Sequence, residues 1–445
     1  MLFANVLSRF LRSNLQFFPT FLHKEDDVTR SLCVILTVAT LLVFGLADRG
    51  EAIPAFSRKY QTSCSTCHYA FPKLNKFGKT FQNNGYRYPK GEDASYIKEE
   101  PVKLGSESYK EVFPDAIWPS DIPGTGPVSL RLINRTNFAS TEPRSSFEFP
   151  HELEILFGGT LGEKFSFFGE VEYEHAAEFA YGFNLQYNAA PGFNLKVGTV
   201  DPVPLADHFR LTAAHLGYLE TRVSDSQWRL RDMQSGLELW GAVDGPKGRG
   251  GFKYQVGIVN GQNDDENDDV NSDKDFYSIL SYKFGGMGIA GGAEAASATS
   301  AFWRDNSFTI GLNTYNGNST YGDGFENSFS VFGVFADLWL GRLNLWHATQ
   351  FHTDDNPKAN SLIERKGLGS STEADLVLYP WLIGFTRYDY IDSYRGDGIE
   401  ATKLLIPGLS AMVRANIKLT FEMQLRLDEA GEKKDRYVVG VDFAM

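Results

Sequence analysis

The chain has 445 residues, of which 42% are hydrophobic and 22% charged, and carries a formal net charge of −13. That hydrophobic content excludes disorder over most of the length, and the negative balance excludes the basic footprint on which nucleic-acid binding rests. Thirty-five Phe, 20 Tyr and 43 Gly stand beside only 3 Cys, a composition suited to a many-stranded β-architecture without disulfides.

Leu32 to Ala47 is a nearly unbroken apolar run, preceded by Arg30 and followed by Gly50-Glu51-Ala52. The pattern is that of a secretory signal cleaved after Ala52; at the short edge of a membrane span of about 20 residues, a retained anchor is the alternative. Residues 1–27, with a Phe-rich stretch and Glu25-Asp26-Asp27, are unusual for a signal. Either translation starts near Val28 or the chain has an N-terminal extension. Cys33 leaves with the signal, so the exported chain keeps two thiols, Cys64 and Cys67. Three regions follow: extension and signal over 1–52, a segment with the two remaining cysteines and a linker over 53–126, and the long remainder over 127–445, the second and third read below as a haem-binding segment and a β-barrel on their own motifs.

Cys64-Ser65-Thr66-Cys67-His68 is a C-x-x-C-H haem-attachment motif. Two thiols three positions apart each form a thioether to one haem vinyl group, and the adjacent imidazole is an axial ligand of the iron. A zinc site needs four ligands, and no second Cys pair exists; a dithiol redox pair wants a βαβ context that the flanks do not show. Downstream, Leu74, Phe77, Gly78 and Phe81 recur at helical spacing opposite Lys73, Lys76 and Lys79, with Pro72 suited to the first turn. The expected cofactor is one covalent haem c. For the sixth ligand the candidates are His151, His175, His208, His215, His347 and His352, and Met233, Met287, Met412, Met423 and Met445. His208 and His215 draw most interest, because they lie in a Pro-rich segment that interrupts the strand pattern. An open sixth site is the alternative.

From about Pro127 onward the dominant signal is period-2 alternation. Phe147, Phe149, Leu153, Ile155 and Phe157 alternate with Glu148, Glu152 and Glu154; Phe165, Phe167, Val171 and Tyr173 alternate with Glu170, Glu172 and Glu174. The run Ile417–Leu427 is the clearest, and Tyr437, Val439, Val441 and Phe443 end the chain on one face of a final strand. Segments of about ten residues continuing over this length predict an all-β fold, a transmembrane antiparallel barrel of about 16 strands with a short α-helical haem segment before it, in preference to a soluble sandwich. The six glutamates are then expected in the lumen, on two strands joined near Gly158-Gly159, where they favour cations. Asp264–Asp273 reads as a solvated acidic loop; it has the ligand types of a calcium site but not the spacing of an EF-hand.

The stretch 52–68, followed by Phe71-Pro72-Lys73-Leu74-Asn75 and Phe77-Gly78, resembles the monohaem outer-membrane barrel cytochromes, one member type of which is the iron-oxidising cytochrome of acidophilic bacteria. The match is specific over residues 53–86; beyond it only the barrel pattern and the acidic loop agree. The resemblance implies a haem held within or against the lumen of a porin-like barrel in the outer membrane. It leaves the electron donor open, with Fe(II)/Fe(III) on one side and periplasmic cytochromes or other redox partners on the other. Electron transfer leads over two further readings, a porin-like diffusion channel with a haem-bearing plug and a haem enzyme with an open sixth site.

Overall fold

A strand whose alternate side chains are apolar can bury one face only, so a long series of them must either stack as sheets or close on itself. The computed structural model shows closure. It describes residues 55–91, 93–98, 111–113, 127–140, 145–174, 179–205, 213–214, 216–220, 230, 233–261, 271–292, 303–320, 326–357, 364–393, 395, 400–428 and 435–445. The expected signal over 1–52 lies outside these residues.

The N-terminal segment has helix α1 (Ala55–Tyr60), a 3₁₀ turn (Cys64–Thr66), a small hairpin of β1 (His68–Ala70) and β2 (Lys73–Leu74), and helices α2 (Lys76–Asn83) and α3 (Asp93–Tyr96). The barrel begins with β3 (Val128–Ala139), β4 (Ser145–Leu161), β5 (Phe165–Glu174), β6 (Phe179–Ala190), β7 (Phe193–Val200) and β8 (Gln234–Asp244). It continues with β9 (Gly251–Val259), β10 (Asp275–Gly285), β11 (Asp305–Thr320), β12 (Glu326–Gly341) and β13 (Leu343–Asp354). It ends with β14 (Arg365–Tyr379), β15 (Leu382–Asp392), β16 (Thr402–Arg414), β17 (Ile417–Arg426) and β18 (Arg436–Ala444). All sixteen pair antiparallel with their chain neighbours, and β18 closes on β3 with Val439 opposite Thr136. A short helix, α4 (Gly217–Glu220), lies between β7 and β8.

Alternation sorts the two faces as expected. Phe147, Phe165, Phe193, Leu195, Val197, Phe421 and Tyr437 are exposed on the outer wall, whereas Glu152, Glu154, Glu172, Asp442 and Glu422 are buried on the inner one. Among the described residues no helix is long and apolar enough to cross a membrane; crossing falls to the strands. Two local expectations change. Gly158 and Gly159 lie inside β4, which runs on to Leu161, because the barrel wall needs a longer strand there. Pro72 sits in the β1–β2 turn after a cis Phe71–Pro72 bond, and the helix starts later, capped by Asn75.

The lumen is filled, which the alternation does not reveal. On β12 the inward residues include Phe329, Val331, Phe335 and Trp339, as apolar as the outward ones. Phe329, Val331 and Phe335 bury against Val203, Leu216, Tyr218 and Leu230 of the segment between β7 and β8, and Trp339 clusters with Tyr69 and Ala70 of the N-terminal segment. That segment reaches the far wall: Ala213 and Ala214 N–H donate to Glu422 at 2.6 and 3.0 Å, Arg387 donates to Ala214 O at 3.1 Å, and Tyr218 N–H to Ser371 Oγ at 3.2 Å.

The N-terminal segment also lies inside. Ala55 N–H donates to Ser129 Oγ at 2.8 Å, Thr80 to Gly288 O at 3.0 Å and Lys418 to Phe71 O at 3.0 Å, while Lys79 pairs with Asp337 at 3.2 Å. Lys73, expected on a solvated helix face, is 1% exposed and pairs with Asp375 and Glu373 of β14. Burial alone would strip its charge; the two carboxylates outweigh that and raise its pKa above the usual range. Gly158 leaves room for the segment, since a Cβ there would meet the Phe56 ring at 3.1 Å.

Removing one member of a buried ion pair costs about 3–5 kcal/mol by stranding the other. Lys73→Met is therefore expected to unseat the N-terminal segment without opening the barrel. Limited proteolysis should then cut within 55–98 while heat-modifiable gel mobility, a measure of barrel closure, stays unchanged; equal resistance in both proteins would contradict the anchoring role.

Candidate functional site

The three residues of the motif are brought together on one turn. A 3₁₀ turn repeats every three residues, so the Cys64–Thr66 turn, closed by Cys67 N–H donating to Cys64 O at 3.1 Å, sets both sulfurs on one side. Both thiols are free. Ser63 caps the turn, and Thr62 and Thr66 hydroxyls bond at 2.6 Å.

Asn75 ties this turn to helix α2. Its side-chain oxygen accepts from Phe77 and Gly78 N–H at 3.0 and 2.9 Å; its amide donates to Ser65 and Thr66 carbonyls at 3.1 and 3.0 Å. Gly78 permits the contact, because a Cβ there would lie 2.1 Å from the Cys67 carbonyl oxygen. Phe77, Phe81, Tyr60 and Met287 form the apolar cluster behind, with Cys67 at its edge.

His68 Nδ1 lies 2.9 Å from the Pro72 carbonyl. A carbonyl only accepts, so Nδ1 carries the proton and Nε2 keeps its lone pair, the tautomer that metal-binding histidines hold through such a contact. Desolvation holds the imidazole pKa down at about 4, so it is neutral. Desolvation also pushes the Cys67 thiol up to about 12 and raises that of Cys64, the reverse of what a nucleophilic or zinc-binding thiolate requires.

These residues border a cavity of about 560 Å³ in the lumen, within the ~300–1,000 Å³ range of pockets that hold organic ligands. The donor set and the walls fit a haem. Phe56, Phe77 and Phe168 offer aromatic surface, and the buried Trp240 indole N–H has no acceptor among the described residues, a donor suited to a ligand carboxylate. Lys196 and Glu238, paired at 2.9 Å, line the same space.

Of the described histidines and methionines weighed as sixth ligand, Met233 alone lines this cavity with His68. His347 bonds to Thr349 and Thr372 hydroxyls on the outer wall, His151 pairs with Glu148 at 2.7 Å, and His352 is buried in β13. His175, His208 and His215 lie outside the described residues, as does the acidic stretch 264–270. The lumen glutamates meet partly as expected: Glu152, Glu154 and Glu172 have carboxylate oxygens within 4.8 Å of one another. Glu154 is engaged by Arg131 at 2.6 Å. Sequence reasoning missed Trp240 and the Lys196–Glu238 pair; alternation marks them inward, but nothing in it tells which inward residues face a cavity.

The fold and its apolar outer wall define a closed, sixteen-stranded antiparallel β-barrel of the outer-membrane type. Solved structures with similar barrels include the anion-selective porin from Comamonas acidovorans, at 13% identity and TM-score 0.49 over 72% of this chain and 99% of that one. OmpF of Salmonella typhi, solved with daunomycin, is 14% identical, with TM-score 0.47 over 72% and 97%. A loop-deletion mutant of OmpT from Vibrio cholerae is 12% identical, with TM-score 0.47 over 72% and 98%. No family model matches the chain, and no curated protein does.

Gly78→Ala is expected to push helix α2 off the cysteine turn, at about 1–3 kcal/mol of overpacking. The readout is hydrogen exchange: protection of the Cys67 and Asn75 amides should fall while that of the barrel strands holds. Unchanged exchange at both amides would remove the claim of close packing.

Proposed function

We propose that the barrel is a fixed redox station of the outer membrane, with one haem c attached through Cys64 and Cys67 and His68 as its axial ligand. One observation carries the reading: the motif faces a lumen cavity with His68 neutral and its Nδ1 already committed to Pro72. The haem, when bound, supplies reversible one-electron transfer. The chain's own residues hold it. Asn75 fixes the cysteine turn, Pro72 orients the imidazole, the aromatic wall excludes water, and Trp240 offers a donor.

The lumen also favours this role over free diffusion. Two segments cross it, each pinned to the wall by buried polar contacts. Electrons pass such a filling more readily than solutes do. Iron(II) as the electron source rests on the sequence resemblance alone, with the carboxylates of Glu152, Glu154 and Glu172 compatible with a cation in the lumen.

The barrel architecture itself favours a second reading, a porin-like channel whose N-terminal segment is a haem-bearing plug. Planar-bilayer recordings separate the two. The redox station is expected to show no steady conductance, and Lys73→Met to introduce it; steady conductance of the unaltered, haem-loaded protein would favour the channel. In a host that matures c-type cytochromes, covalent haem should be present in the wild type and absent from a Cys64→Ser/Cys67→Ser variant. His68→Ala should keep the haem with an altered spectrum. Covalent haem in the double serine variant would sink the proposal.

A further inference from the structure

The two ends of the barrel differ in charge. At the end where the chain enters β3 and leaves β18, every connection but one has six residues or fewer, the exception being 286–304 between β10 and β11; this predominance of short turns marks it as the periplasmic side. There Lys164, Lys247, Arg249, Arg304, Arg342 and Arg414 are exposed, against one exposed acid, Glu163, among the described residues of these connections. Among the described residues of the opposite end, Asp273, Glu326, Asp355, Glu364 and Glu400 are exposed against Lys366 and Arg395. A basic face on a chain of net charge −13 is a segregated field, not an average of the composition.

Two observations decide what this face meets. Trp303 holds cation–π contacts with both Arg304 and Arg342, whose guanidinium carbons lie 5.5 and 5.1 Å from its ring. Trp and Arg are the residues that most often anchor protein contacts, and the ring pre-orders both arginines. The charge also continues inward from the rim: Lys98, after helix α3, is exposed, and its N–H donates to Lys59 O, whose own ammonium donates to Thr160 Oγ1 near the end of β4. Residues on the rim alone would suit lipid headgroups; a charge inside the ring of turns is out of their reach.

We propose that this periplasmic end is the docking surface for a water-soluble protein with an acidic face. If the redox reading holds, that protein is the soluble electron carrier; the contact itself depends on charge and not on the haem.

The test uses the full detergent-solubilised protein and two probes, the acidic soluble domain of cytochrome b5 and the basic mitochondrial cytochrome c, followed by interferometry over a salt series. The expected result is binding of the acidic probe alone, weakened about tenfold or more between low and physiological salt. A Lys164→Glu/Arg249→Glu/Arg414→Glu variant, altered where no side-chain contact is broken, should lose it while keeping its heat-modifiable mobility. Equal binding of both probes, or an unaffected variant, overturns the proposal. So does loss of adhesion to phosphatidylglycerol vesicles in that variant with probe binding intact, which would assign the face to lipid headgroups. The Cys64→Ser/Cys67→Ser variant should bind as the wild type does; loss of binding there alone would tie the contact to the cofactor and overturn the charge assignment.

Discussion

The burial of the Lys73 ammonium against Asp375 and Glu373 is the contact on which the interior arrangement depends. An ammonium this deep is unfavourable unless paired, and two carboxylates on β14 are equally unfavourable without a cation. Tyr69 donates to Asp375 at 3.0 Å, Trp346 to Glu373 at 3.0 Å, and Arg387 reaches Asp389 at 3.0 Å. The lattice is connected, so no member can leave alone. It turns a segment that could hang below the barrel into part of its interior, and thereby places the cysteine turn beside the cavity.

The same arrangement explains the local chemistry of the motif. A turn exposed to water would leave its histidine and thiols near their ordinary pKa values. Inside the lumen, desolvation lowers His68 and raises Cys67, and the Pro72 carbonyl selects the tautomer. Asn75 and Gly78 then hold the turn on helix α2 with four hydrogen bonds and no intervening Cβ. The site is rigid because its support comes from two directions, the helix behind it and the ion pairs beside it.

Charge divides the molecule along its axis in a complementary way. Inward carboxylates are largely matched by inward cations, as Glu154 and Asp442 are by Arg131, and Asp442 by Lys418. Among the described residues, exposed basic side chains gather at the end of mostly short turns and exposed acidic ones at the other. Interior pairing serves stability, and the ends are free to serve recognition.

Period-2 alternation by itself determined the barrel, because a strand wall between lipid and lumen must change polarity at every residue. Residues 417–427 and 437–443 were readable for that reason, as was the strand number to within its boundaries. Cys64, Cys67 and His68 were readable as one group because the C-x-x-C-H spacing that the proposed haem attachment requires lies along the chain itself. Only the tertiary structure decided that the lumen is filled. Lys73 and Asp375 are 302 positions apart, and β12 carries apolar residues on both faces, so neither pairing nor filling leaves a local period. The opening motif depends on that long-range packing for its cavity, its neutral imidazole and its place in the lumen.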